Sequence, residues 1–168
     1  SRAHRPRPQA PAQAACGGHG AVTRFAILRT AAKLLIPAIM LFALYVQFHG
    51  DFGPGGGFQA GVIFASAFIL YALIFGVATA RRVAGPRLVR VTLALGVLLY
   101  AGTGLAGIVL GGNYLEYSVL AHDAVHGQHL GIFLVEFGVF MTVSSAMMTI
   151  FFIFAGQDVE QAAEEAPE

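Results

Sequence analysis

The chain has few charged residues and almost no cysteine. Only 11% of its 168 residues are Asp, Glu, Lys or Arg, whereas soluble globular domains carry about 25%. The single cysteine, Cys16, excludes an internal disulfide. The ten basic residues are too few, and too confined to the ends of apolar segments, to form a nucleic-acid-binding surface.

Motifs for enzymatic turnover are also missing. The sequence contains no Walker loop, no GxGxxG motif that follows a strand and no arrangement that predicts a nucleophile triad. We therefore predict that the protein is not an enzyme and uses no cofactor.

Long apolar segments dominate instead. Hydrophobic residues make up 57% of the chain, and four stretches reach the roughly 20 residues that a membrane-spanning helix needs: 30–48, 58–80, 88–111 and 130–155. We predict an all-α integral membrane protein with four transmembrane helices, and a short outer helix between the third and fourth. The domain boundaries predicted from composition are a disordered cytoplasmic arm (1–22), a transmembrane domain (23–156) and an acidic cytoplasmic tail (157–168).

The basic residues all fall on one side of this four-span arrangement. The connections that follow spans one and three contain none, and cytoplasmic loops of membrane proteins are enriched in Lys and Arg. Both termini are therefore predicted to be cytoplasmic, in a multi-pass protein of the bacterial inner membrane. The ten residues are Arg2, Arg5, Arg7, Arg24, Arg29 and Lys33 before or within span one, and Arg81, Arg82, Arg87 and Arg90 between spans two and three.

The outer connection between spans one and two is rich in glycine. Pro54 keeps Gly53 out of the helical region, and consecutive glycines can adopt positive φ angles and pack backbone to backbone. We predict a tightly packed, partner-facing turn, with a plain flexible turn and an ion site at the next helix start as alternatives. The packing residues are Pro54, Gly55, Gly56, Gly57, Phe58, Gln59 and Gly61. Span three carries a second glycine signal, because Gly107 and Gly111 have the GxxxG spacing that lets another helix approach.

Glu136 is the only carboxylate predicted to lie well inside a span. It follows Leu130 by six residues, about 9 Å below the outer end of span four, and an ionisable residue at such depth is a functional candidate by default. His129 lies on the same helical face, and His49 approaches from the other outer connection. We interpret Glu136, His129 and His49 as a proton or ion relay, with a structural, hydrogen-bonded Glu136 as the alternative.

Three histidines precede or open span four. His122, His126 and His129 have i, i+4 and i+7 spacing, which places them on one face of a helix. Zinc accepts imidazole ligands, but no supporting carboxylate is assignable on that face, so we predict no metal site. A proton-collecting group at the outer surface is the favoured interpretation, because histidine titrates near neutral pH.

Two motifs carry a family resemblance. The pattern His-x(4)-Pro-Gly-Gly-Gly-Phe-Gln-x-Gly from His49 to Gly61, and Glu-x-Gly-Val from Glu136 to Val139, resemble the B-type subunits of Mrp-type (Mnh/Pha-type) multisubunit Na+/H+ antiporters. The resemblance extends from about residue 29 to residue 155, and Ala60 departs from it where glycine is expected.

The resemblance implies an accessory subunit of a complex that exchanges Na+ for H+. Its partners would be the other antiporter subunits and the lipid bilayer, with Na+ and H+ as the ions that the complex transports. From the residues alone, a self-sufficient small oligomeric channel or transporter and a purely structural scaffold subunit remain alternatives.

Overall fold

A computed structural model describes the backbone of residues 18–50, 53–120 and 123–164. Within these ranges the chain forms helices and no strand. The helices are α1 (Gly18–His49), α2 (Gly57–Phe75), α3 (Val77–Val83), α4 (Pro86–Val109) and α5 (Ala124–Glu164), with a 3-10 turn at Tyr117–Leu120.

Four of these helices are long and apolar enough to cross a membrane. The spans are Ile27–His49, Gly57–Phe75, Pro86–Val109 and Val125–Gly156. The predicted fold class, an all-α membrane protein with four transmembrane helices, is confirmed. With an even number of spans, the start of α1 and the end of α5 lie on the same side of the membrane. We call this side the basic end, because Arg29, Lys33 and the four arginines between spans two and three lie there.

The boundaries of the second span were predicted wrongly. The predicted helix 58–80 is interrupted at Gly76, where φ is +93°. Glycine adopts this left-handed conformation without a steric penalty. The helix therefore ends at Phe75, and α3 starts again at Val77. Pro86 then opens α4 at a first-turn position, where its missing N–H costs no hydrogen bond.

The ends of the other helices also differ from the predictions. The predicted outer helix is a 3-10 turn only, and α5 begins at Ala124, six residues before the predicted start of span four. Helix α1 begins at Gly18, inside the segment predicted to be a disordered arm, and α5 continues through the first part of the predicted tail, to Glu164. Residues 1–17 and 165–168 lie outside the described part of the chain.

Helix α5 organises the bundle. It packs against α4 on one side and α2 on the other, and α1 packs on the far side of α2. The main core cluster joins α2, α3, α4 and α5 at the basic end, with Phe68 of α2 in edge contact with Phe152 of α5 at a centroid distance of 6.1 Å. The buried members of this cluster are Ala65, Phe68, Ala72, Ala80, Ala84, Val89, Met148 and Phe152.

Glycines set a close contact between α4 and α5, but they are not those of the predicted GxxxG pair. A Cβ on Gly96 of α4 would lie 2.8 Å from the carbonyl oxygen of Gly138, and a Cβ on Gly138 would lie 2.9 Å from that of Gly96. The two backbones therefore touch where α4 crosses α5. Gly107 is covered by the following loop, and Gly111 has open space around it and a φ of +89°. The Gly107–Gly111 pair lies at the end of α4 and forms no contact site for another helix among the described residues.

Candidate functional site at the glycine turn

The glycine turn folds back over the end of α1. The backbone N–H of Gly53 donates to the carbonyl of His49 (3.1 Å), and that of Gly56 donates to the carbonyl of Val46 (3.4 Å). Gly56 has a φ of +130°, a conformation that side-chain-bearing residues rarely adopt. A Cβ on Gly55 would lie 2.7 Å from the Val46 carbonyl oxygen. The turn is thus a packed structure that requires glycine for both conformation and space.

Glu136 of α5 lies directly against this turn. A Cβ on Gly50 would sit 2.6 Å from Oε2 of Glu136, and one on Gly56 would sit 3.4 Å from Oε1. A Cβ on Gly57 would overlap the backbone carbonyl of Glu136. The carboxyl group therefore occupies the space that missing side chains leave at Gly50 and Gly56. The structure brings the two sequence-predicted features, the glycine turn and Glu136, into one site.

Other residues of the turn face outward. Pro54 and Gln59 are exposed, and the Phe58 side chain is 62% exposed although it is a large apolar group. Gly61 continues the close contact along α2, since a Cβ there would lie 3.0 Å from the carbonyl oxygen of Phe140. The glycines thus pack inside the subunit, whereas the partner-facing role predicted for the turn would fall to Pro54, Phe58 and Gln59.

The two histidines predicted to act with Glu136 lie at different positions around it. His49 is the last residue of α1, next to Gly50, and its ring stacks on Tyr45 at a centroid distance of 5.1 Å. His129 is exposed on α5, seven residues before Glu136, or about 10 Å along the helix axis. His49 is therefore at the rim of the site, and His129 is two turns further out.

The second outer connection is held by its own hydrogen bonds. The Asn113 backbone N–H donates to Oε2 of Glu116 (2.7 Å), and with the Asn113 side chain it holds the pKa of Glu116 below its usual value. His126 Nδ1 lies 3.0 Å from Oδ2 of Asp123 at an exposed pair. In the described ranges no three His, Cys, Asp or Glu side chains are grouped to hold a metal; His122 lies outside those ranges.

Gln47 is a polar residue of the site that the sequence reasoning missed. It lies on the face of α1 that carries Ala43, and it is only 2% exposed. Neither its amide oxygen nor its amide nitrogen has a hydrogen-bond partner. Gly50, three residues further along and just beyond the end of α1, faces the Glu136 carboxyl. The available signal was a lone amide in an otherwise apolar span, on the i, i+4 face of Ala43.

Comparison with known proteins identifies the family. Residues 27–149 match the model of the "Domain related to MnhB subunit of Na+/H+ antiporter", which covers all of the site and most of the four spans. Two relatives, from Staphylococcus haemolyticus (strain JCSC1435) and Staphylococcus aureus (strain Newman), carry the name "Putative antiporter subunit mnhB2". Each is 33% identical over 133 residues, which is 77% of this chain and 94% of the relative. The chain belongs to the MnhB family.

Membership of this family fixes the broad function. The protein is an accessory subunit of a multisubunit Na+/H+ antiporter, in agreement with the resemblance seen in the sequence. Membership of such a family indicates a component of a transporter and not an enzyme. The motifs that carried the resemblance, from His49 to Gly61 and from Glu136 to Val139, are the segments that meet in the site.

Replacing Gly57 tests the contact between the turn and α5. We expect Gly57→Ala to lower the stability of the protein by about 3 kcal/mol, the upper end of the cost of overpacking, because the new methyl group collides with the Glu136 backbone. The matched control is Gly102→Ala, where nothing lies within 4 Å and alanine favours a helix by about 1 kcal/mol. Thermal unfolding of the purified variants in detergent measures the stability of both Gly57→Ala and Gly102→Ala. Equal melting temperatures for the two variants would contradict the close contact.

Replacing Gln47 tests the buried amide. Methionine has a similar length and no amide, so Gln47→Met removes two unpaired buried polar atoms. Each such group costs about 1–3 kcal/mol, and we expect the melting temperature of the protein to rise. Gln128→Met, at an exposed glutamine on α5, serves as the control and should change it little. A fall in the melting temperature of Gln47→Met would show that the amide has a bound partner.

Proposed function

We propose that the subunit supplies the outer part of a proton or ion path of the antiporter, with Glu136 as the group that exchanges the proton. The observation that carries this proposal is the contact of the Glu136 carboxyl with the glycine turn. Glu136 is the only acidic residue within the four spans. It lies eleven residues after Val125, the first residue of the apolar helix, or roughly 16 Å along the helix.

The surroundings of Glu136 suit a group that must be reached from outside. Gly50 and Gly56 carry no side chain that would displace its two carboxyl oxygens, Glu136 is only partly buried, and His49 stands beside Gly50 at the end of α1. Histidine can pass a proton at physiological pH. His129 would collect protons further out on α5. This assignment of roles to Glu136, His49 and His129 is supported by their order from the site outward.

The partners proposed for the subunit follow from its exposed surface. At most 33% of the residues in the most apolar window of any span are buried, so lipid or other subunits must cover the rest. The exposed Pro54, Phe58 and Gln59 beside the site are suited to contact another antiporter subunit, which would continue the path. Na+ and H+ are the ions that the assembled complex would transport.

A purely structural role is the second candidate. The same contacts that place Glu136 in the site also lock α5 to the turn, because the Gly57 backbone meets the Glu136 carbonyl. A scaffold subunit would need these contacts and no exchangeable proton. A self-sufficient channel has less support, since a lone carboxylate provides no continuous path across four spans.

The orientation proposed here places the basic end in the cytoplasm, in the bacterial inner membrane. A cysteine at Arg82, on exposed α3, should resist a membrane-impermeant thiol reagent in intact cells, whereas a cysteine at Val125, exposed at the start of α5, should react. Both changes are made with Cys16→Ser. Labelling at position 82 combined with protection at position 125 would contradict the proposed topology and indicate the opposite orientation.

Glu136→Gln separates the relay from the scaffold. Glutamine preserves the shape and a hydrogen-bonding end but cannot cycle between two protonation states, which proton transfer requires. We expect complexes that assemble normally and whose antiport rate in vesicles falls at least about tenfold. Glu136→Asp keeps the proton and shortens the reach, so its activity should be intermediate.

The matched control for this change is Glu116→Gln. It makes the same chemical substitution at a carboxylate in the outer connection, outside the spans, and antiport should stay close to that of the wild type. Normal antiport by assembled Glu136→Gln complexes across the pH range would contradict the relay and support the scaffold function.

A further inference from the structure

A cleft opens at the basic end of the bundle, away from the glycine turn. It has a volume of about 440 Å³ and lies between α3, the start of α4 and the end of span four. This volume falls in the range of small-ligand pockets. Arg81 and Arg90 line it, together with the apolar side chains of Val89, Phe152 and Ile153. The cleft therefore combines two cationic groups with an apolar wall.

Arg81 is held in a fixed position at this cleft. Its Nη2 donates to the backbone carbonyl of Phe152 (2.9 Å), and its guanidinium carbon lies 5.6 Å from the centre of the Phe152 ring. Gly156 makes room for it, since a Cβ at that position would lie 2.9 Å from Nη2. A guanidinium has five N–H donors, so this anchoring leaves most of them available.

Arg90 faces the same space from α4. Its Nε donates to the backbone carbonyl of Pro86 (3.2 Å), which leaves its two terminal nitrogens for other partners. Among the side chains that the structure describes, which end at Gly156, a pair of a basic and an acidic side chain joins His126 to Asp123, far from the cleft. No carboxylate among these side chains balances the charge of either arginine in the cleft.

We propose that this cleft binds an anionic phospholipid. Its phosphate would lie between Arg81 and Arg90, and an acyl chain would run from there along Val89 and Ile153, the latter 55% exposed. Basic pockets between transmembrane helices bind anionic headgroups, and planar guanidinium groups match phosphate oxygens with paired hydrogen bonds. Charge complementarity favours this occupant over a neutral lipid or an apolar helix of another subunit.

The chain provides a matched control for the charge. Arg82 and Arg87 belong to the same basic connection but do not line the cleft. The variants R81Q/R90Q and R82Q/R87Q thus remove the same net charge from the same end of the bundle. Only the first pair removes the proposed phosphate ligands, so a difference between the variants reports the site and not the general attraction of anionic lipid to a basic surface.

The experiment uses the purified antiporter complex in nanodiscs of equal parts phosphatidylglycerol and phosphatidylcholine. Lipid that stays bound to the protein is identified and counted by native mass spectrometry. We expect the wild type and R82Q/R87Q to retain phosphatidylglycerol. The amount bound to R81Q/R90Q should be at least about tenfold lower, because this variant loses two charge-assisted contacts. The single variant R90Q, which leaves the Arg81 anchor intact, should show a smaller loss in the same direction and guards against misfolding of the double variant.

Three outcomes would overturn the proposal. Equal losses in the two double variants would show non-specific charge attraction only. Equal retention of phosphatidylcholine would show an apolar groove without a headgroup site. No retained lipid in the wild type, with retention appearing after truncation of the chain at Gly156, would show that the acidic tail occupies the cleft instead.

Discussion

The contact between Glu136 and the glycine turn is the constraint on which the site depends. The backbone carbonyl of Glu136 fits against Gly57, and its carboxyl oxygens fit against Gly50 and Gly56. One residue of α5 thereby fixes the end of α1, the turn and the start of α2 relative to one another. A side chain at Gly57 would push the backbone of α5 away, and one at Gly50 would displace the carboxyl group. The packing of the helices and the position of the carboxyl group therefore depend on the same glycines.

The same use of glycine recurs along α5. Gly61 lets α2 approach the carbonyl of Phe140, and the Gly96–Gly138 crossing brings α4 onto the opposite side of the helix. Association inside a membrane gains little from the hydrophobic effect, because lipid tails are as apolar as leucine, and it relies on close packing instead. Helix α5 is central because its neighbours can approach it at the backbone. Its carboxyl group is consequently carried by a helix whose backbone is in close contact with both α2 and α4.

The sequence was sufficient for the features that depend on composition and local chemistry. Apolar length predicted four spans, and the rarity of a carboxylate in an apolar segment singled out Glu136. The break at Gly76 was missed because a lone glycine in an apolar run is common in membrane helices and the sequence does not show its φ. The Gly96–Gly138 contact was missed because it depends on how two helices cross, whereas the Gly107–Gly111 spacing is a local pattern. Gln47 was overlooked since its burial depends on the neighbouring helices.

The two ends of the bundle differ in the kind of group that they expose, and this difference bears on the role of the protein in a complex. The end opposite the basic end presents one carboxyl group under a glycine turn, with the apolar Phe58 exposed beside it. The basic end presents arginines, one of them anchored to the backbone of α5 through the Phe152 carbonyl. Since both Glu136 and Phe152 belong to α5, a single helix connects the two ends.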